Sequence, residues 1–227
     1  MSCIPAGAAC TAQSGVDRPH LVELYTSEGC SSCPPAERWL SGLRDKPAWA
    51  ALEFHVDYWD TKDWHDPWAD ARFTARQKAL ARQDRRNLVY TPQAAVDGRL
   101  WKDFPKAAPP QPTESAAPGL KLSVARAPAR LNIHVDTPPG DGHVYVALTE
   151  NGLSNAVDGG ENRGKTLQHD HVVRAFAGPL PMGSADAALD LPKSLDPANA
   201  KVVAFVQDER DGSVTQVVPL ALAACAP

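Results

Sequence analysis

Two periodicities divide this chain. Through its first hundred residues, short apolar runs alternate with stretches of helical spacing, and beyond about residue 120 apolar and polar positions alternate singly. Leu21 to Tyr25, bounded by Pro19 and a Ser/Gly cluster, predicts a strand. Pro34 to Leu43 predicts a helix, because prolines suit a first helical turn, Glu37 follows early, and Trp39, Leu40 and Leu43 recur at helical spacing. Ala51 to Val56 predicts a second strand. Pro67 to about Arg86 predicts a long helix that packs Trp68, Phe73, Ala79 and Leu80, with Arg72, Arg76, Lys78, Arg82, Arg85 and Arg86 forming a largely outward, solvated basic face. From Val89 to Leu100, an early Pro92 and the pair Asp97-Gly98 predict an antiparallel hairpin. Strand, helix, strand, helix and hairpin are the order of an α/β unit with a mixed sheet.

Residues 105–119 are rich in proline and read as an extended linker. Beyond them Leu131 to Asp136 alternates cleanly. His143 to Thr149, Gly164 to Ala175, Ala200 to Gln207 and Val214 to Leu222 are further strand candidates, the last two joined by the turn Arg210 to Ser213. The expected organisation is an arm (1–18), an α/β domain (19–104), the linker (105–119) and an antiparallel β-sandwich-like region (120–227). That region holds no tryptophan, since all six lie between Trp39 and Trp101, which argues against a strict immunoglobulin domain.

Composition narrows the function. A net charge of −4 offers no footprint for nucleic acid. No apolar run approaches the roughly 18 residues of a membrane span. The chain is expected to act as a monomer. Five cysteines leave an odd one after pairing. Cys30 and Cys33 pair by proximity, and Cys10 and Cys225, near opposite ends, are expected to form a structural disulfide. Cys3 then either stays free or competes for Cys10. Such a bridge implies an oxidising compartment. The first ten residues lack a basic segment and an apolar core, so either the protein is cytosolic or a leader has been removed; the expected terminal bridge favours the second, and the expected location is periplasmic or secreted.

Cys30-Ser31-Ser32-Cys33, directly before Pro34-Pro35, carries the candidate chemistry. A helix N-terminus lowers the pKa of the first thiol, and the thiolate is the species that exchanges disulfides. Zinc would need two more ligands, and no second close cysteine pair exists. Covalent haem attachment would need histidine where Pro34 stands. A purely structural disulfide is the remaining alternative to a redox pair. His169 and His171, placed two apart on a predicted strand, form a possible metal pair without an identifiable third ligand.

Three segments carry a family resemblance: Glu23 to Ala36 with its CSSCPP motif, Phe54 to Asp60, and Tyr90 to Gln93. Together they resemble an uncharacterised family of secreted bacterial thioredoxin-like proteins, and the similarity extends into Glu161-Asn162-Arg163-Gly164 and His169 to Arg174. The resemblance implies a thioredoxin-like domain in which exposed Cys30 attacks and Cys33 resolves. Pro92 would be a cis-proline facing the disulfide, and Thr91 would offer backbone hydrogen bonds to a bound peptide. Glu23 would match the buried carboxylate that shuttles a proton for the resolving thiol, although it stands seven residues before Cys30, one farther than the usual spacing. Its alternative role is an outward or edge carboxylate. The family's closing helix is missing after the hairpin, and the β-rich region is expected to cover the sheet face left open.

Asp57, Tyr58, Trp59 and Trp64 are expected to form one wall of a substrate groove, or to pack against the β-rich region. The function expected is a thiol–disulfide oxidoreductase acting on protein thiols or disulfides, with no cofactor and no resident metal. The alternatives are a Cu(I)-handling protein using the two thiolates with His55 or His65, and a non-catalytic binding protein.

Overall fold

Apolar runs become the central strands. The computed structural model describes residues 9–15, 17–83, 87–102, 104 and 119–225. Strand β1 (Cys10–Gln13) precedes β2 (His20–Thr26), helix α1 (Pro34–Ser41), β3 (Trp49–His55), helix α2 (Ala71–Gln83) and the hairpin β4 (Gln93–Val96) and β5 (Arg99–Leu100). Nine strands follow: β6 (Lys121–Ala127), β7 (Arg130–Asp136), β8 (Gly142–Glu150), β9 (Leu153–Ala156), β10 (Thr166–His169), β11 (Val172–Pro181), β12 (Ser184–Asp190), β13 (Ala200–Asp208) and β14 (Val214–Ala221). The chain is thus mostly β, with a mixed sheet and two α-helices among the described residues.

The main sheet has eight strands in the order β14-β13-β8-β11-β3-β2-β4-β5. It draws four strands from each side of the proline-rich segment. Where a boundary between two domains was expected, β11 pairs parallel with β3, with Val172 opposite Glu53. That pairing satisfies a strand edge that would otherwise present unpaired backbone groups. The β-rich half therefore continues the sheet edge to edge. A second sheet, ordered β1-β6-β7-β12, lies over the C-terminal strands. Leu122, Val124, Ile133 and Val135 interleave there with Val144, Val146, Leu148 and Val202. The N-terminal arm contributes its edge strand: β1 pairs with β6, and a disulfide ties Cys10 to Cys225 across 5.1 Å between Cα atoms. Most of the proline-rich segment, together with Cys3, Arg85 and Arg86, lies outside the described residues.

The two helices cover opposite faces of the β3-β2-β4 region. Alternation along β2 sends Val22 and Leu24 to α1, where they meet Ala36 and Leu40. Leu21 and Tyr25 go to the other face, with Phe54, Phe73 and Leu80. Helix α2 begins four residues later than its apolar pattern suggests. The carboxylate of Asp70 accepts the Arg72 amide at 2.8 Å, a cap that starts the helix after Pro67 and Trp68. The expected strand from Gly164 to Ala175 is two strands, broken by a turn in which His171 takes φ +62°.

Arg76 departs from the predicted basic face. It is buried, donates from Nε and Nη2 to both oxygens of Glu23 at 2.5 and 2.8 Å, and lies 4.8 Å over the Tyr145 ring. Tyr25 adds a hydroxyl bond to Glu23 at 2.8 Å. A pair taken out of water in this way is tolerable only while both partners are present. Arg76→Met should therefore destabilise the protein by about 3–5 kcal/mol in urea unfolding, and adding Glu23→Leu should restore most of that loss. A single variant as stable as wild type would contradict this account.

Candidate functional site

Because β3 runs parallel and β4 antiparallel to β2, Thr26, His55 and Gln93 all finish at one end of the sheet. The chain turns there from Ser27 into α1. Cys33 occupies the cap position, and Pro34 and Pro35 open the helix, where missing amides cost nothing. Cys30 and Cys33 form a disulfide with 5.5 Å between Cα atoms. Ser32 Oγ lies 3.4 Å from Cys30 Sγ. The Thr91–Pro92 peptide bond is cis and sits at the same end, just before Gln93. Trp59 links the two segments: its indole donates to Thr91 Oγ1 at 2.8 Å, and its Cβ packs beside Gly29.

Glu23 has no part in this site. It faces α2, on the side of the sheet opposite α1, because alternation along β2 places it with Leu21 and Tyr25 rather than with Val22 and Leu24. Its odd spacing from Cys30 is the sequence counterpart of that placement. A cavity of about 500 Å³ also opens on the α2 side, lined by Arg76, Tyr145 and Phe176, away from the disulfide.

Cys30 is not exposed. Its fractional exposure is 1% and that of Cys33 is 0%, and the loop between β9 and β10 is bonded to the backbone on either side of Cys30. Glu161 accepts from the Ser31 amide at 3.0 Å and the Ser31 hydroxyl at 2.6 Å, while its own amide donates to Gly29 O at 3.0 Å. Asn162 donates from Nδ2 to Cys30 O at 2.8 Å and to Glu28 O at 3.0 Å. Gly160, at φ +64°, makes the approach possible, since a Cβ there would stand 2.6 Å from Gly29 Cα. Nothing in the CxxC motif signals this cover, which comes from a segment more than a hundred residues away.

The proposed groove wall separates into parts. Tyr58 is exposed, and Trp59 holds Thr91. Asp57 is engaged by α2 through the Thr74 hydroxyl at 2.5 Å. Trp64 packs with Val157 and Leu167 against the β9–β10 hairpin.

Behind the disulfide lies a group that sequence reasoning did not assemble. Glu28, Glu37, Glu53, His55, Asp66 and His169 are all buried on the α1 side of the sheet. Glu53 Oε1 lies 3.0 Å from His55 Nε2 and 2.9 Å from His169 Nδ1. Asp66 Oδ2 meets His55 Nδ1 at 2.8 Å, and Thr26 donates to Glu37 at 2.5 Å. Trp68 stands edge-on to both imidazoles. Burial, reinforced by the Glu53 charge, lifts the Glu37 carboxyl to about 7. Burial alone would lower His169, but the carboxylates of Glu28 and Glu53 carry it up to about 9. His55 is likewise raised against its burial, chiefly by Asp66. A signal was present in the sequence: Leu52-Glu53-Phe54-His55-Val56 puts two polar residues on one face of an otherwise apolar strand. His169 and His171 do not act as a pair. His169 ends β10 inside the group, whereas His171 sits in the following turn, where burial pushes its pKa down to about 4.

A family model described as a protein of unknown function (DUF1223) matches residues 21–207. This chain belongs to the DUF1223 family. Among solved structures it is similar to protein AGR_C_4864 from Agrobacterium tumefaciens, with a TM-score of 0.59 and 25% identity, covering 92% of this chain and 96% of that one. It is also similar in fold to HBP35 of Porphyromonas gingivalis, with a TM-score of 0.64 and 12% identity over 94% of this chain and 78% of that one. No curated protein matches it. The DUF1223 match spans the disulfide, Thr91-Pro92, the buried acidic and histidine group and the covering loop.

The contacts of Glu161 and Asn162 make that loop the barrier to Cys30. In this DUF1223 protein, Glu161→Ala with Asn162→Ala should speed alkylation of the reduced Cys30 thiol by about tenfold or more, since several hydrogen bonds of about 1 kcal/mol each are removed. Unchanged iodoacetamide kinetics would show that access runs by another route.

Proposed function

We propose that the protein is a thiol–disulfide oxidoreductase built on a thioredoxin-like unit and that Cys30–Cys33 is its exchanging pair. One observation carries this reading: the disulfide closes at the entry to α1, at the sheet end where Thr91-Pro92 also lies. The helix N-terminus stabilises a thiolate there, and the Ser32 hydroxyl at 3.4 Å from Cys30 Sγ is placed to donate to it.

The exchange proceeds in two displacements. A substrate thiolate attacks Cys30 Sγ, the Cys30–Cys33 bond breaks, and Cys33 leaves as a thiolate that takes up a proton. The second substrate thiolate then attacks the substrate sulfur of the mixed disulfide, and Cys30 leaves as the thiolate. The substrate is oxidised by two electrons and the pair is reduced to the dithiol. Run in reverse, the same steps reduce a substrate disulfide. Glu161 and Asn162 must release Ser31 and Cys30 before either sulfur is reached, which favours a substrate able to displace that loop. A periplasmic or secreted location suits this chemistry and the Cys10–Cys225 bridge. The Cu(I) reading finds less support: His65 bonds Asp60 at 3.1 Å, and among the described residues no hydrogen bond joins His55 or His65 to either sulfur of the Cys30–Cys33 pair.

Equilibration with glutathione buffers tests the proposal. The Cys30–Cys33 pair should titrate as a two-electron couple, and Cys33→Ser should accumulate a mixed disulfide on Cys30 when given a disulfide substrate. Cys30→Ser should form none. A wild-type pair that stays oxidised across the whole glutathione range would leave the disulfide a structural one.

A further inference from the structure

We propose that Glu53, His55 and His169 bind one divalent transition-metal ion, zinc being best suited to the donor set, with Glu37 as the fourth ligand. One donor atom from each of the first three converges within 4.8 Å. The pairing of β3 with β2 and β11 aims Glu53 and His55 to the α1 side of the sheet, and the β9–β10 hairpin brings His169 down onto them. Both imidazoles turn a nitrogen toward the same carboxylate oxygen, at 3.0 and 2.9 Å. Ligand atoms around a tetrahedral zinc with bonds of about 2.0 Å stand about 3.3 Å apart, so the two carboxylate–imidazole contacts open by a few tenths of an ångström while the imidazole nitrogens, within 4.8 Å of each other, draw together by up to about 1.5 Å to accommodate the ion. Glu37 Oε2, 3.8 Å from His169 Nδ1 and outside the converging trio, would swing inward to complete the set from the helix that carries the disulfide.

Two further observations point to a ligand rather than to an ionic core alone. The outward nitrogen of each imidazole faces a carboxylate: Asp66 Oδ2 lies 2.8 Å from His55 Nδ1, and Glu28 Oε1 lies 3.3 Å from His169 Nε2. Metal-bound histidines are characteristically oriented in this manner, with the outer carboxylate fixing the tautomer that leaves the inner nitrogen free to coordinate. The group is also incompletely satisfied by hydrogen bonds, since Glu53 Oε2 is buried without one. Buried polar atoms left in that condition are costly, and a cation accepts the spare carboxylate oxygen directly. Two imidazoles and two carboxylates with no thiolate suit zinc, whereas calcium and magnesium prefer all-oxygen shells. With four protein ligands the site is a closed, structural one that would fasten the hairpin covering Cys30 to β3 and α1. This proposal stands independently of thiol exchange.

Full-length protein, freed of metal by chelation and with its disulfides intact, tests the site by titration with zinc in a calorimeter and with cobalt(II) in a spectrophotometer. Metal is added both to the folded protein and before refolding, so that slow entry into a buried site is not read as weak affinity. The expected result is one ion per chain, with visible cobalt bands of a tetrahedral nitrogen and oxygen site and no near-ultraviolet thiolate band. Glu53→Gln and His169→Gln should each abolish stoichiometric binding, and Asp66→Asn should weaken it by about 10–100-fold. Binding should persist in the Cys30→Ser, Cys33→Ser double variant. A folded wild-type protein that takes up no ion by either route overturns the proposal. So does binding that survives both ligand substitutions, or that is lost with the two cysteines.

Discussion

The parallel pairing of β11 with β3 is the constraint on which the rest of the structure depends. A backbone bond from the Glu53 amide to His171 O at 2.8 Å marks the point where the second half of the chain joins the edge of the first. Once β11 is fixed there, the hairpin just before it has one place to go. It folds across the end of the sheet, with His169 beside Glu53 and the Glu161–Asn162 loop on top of the disulfide. The cover over Cys30 and the polar group behind it are two consequences of one strand pairing.

That arrangement puts opposing demands on the site. A disulfide at a helix entry is chemically ready for exchange, yet two buried sulfurs cannot meet a substrate without movement. The contacts of Glu161 with Ser31 are polar and exposed, so they are weak next to the apolar core beneath the sheets, whereas those of Asn162 are buried. The polar group lies deeper and joins α1, β3 and β10, elements from both halves of the chain. The loop tip is therefore easier to displace than the base of the hairpin that carries it.

Much of the local architecture was legible. The strand at Leu21 to Tyr25, the helix after Pro34, the strand ending at Val56 and the hairpin across Asp97-Gly98 all follow from period, proline and turn chemistry. Strands β1, β6, β9 and β12 were not read, being short or only partly apolar and defined by their partners. Arg76 was misplaced for a related reason. A charged residue on a helix reads as solvated unless its buried partner is known, and Glu23 lies fifty-three positions away in sequence.

By itself the sequence determined which segments would be strands or helices and that two cysteines would stand together at the start of one helix, because period, capping and spacing act over a few residues. Only the tertiary structure decided which face each of those segments presents and what covers them. It turned Glu23 away from the disulfide, set Glu37, Glu53, His55 and His169 behind it, and closed Cys30 under Glu161 and Asn162. Those outcomes depend on contacts between residues from fifty-three to more than a hundred positions apart, where the energy resides in burial and hydrogen bonding that no local pattern records.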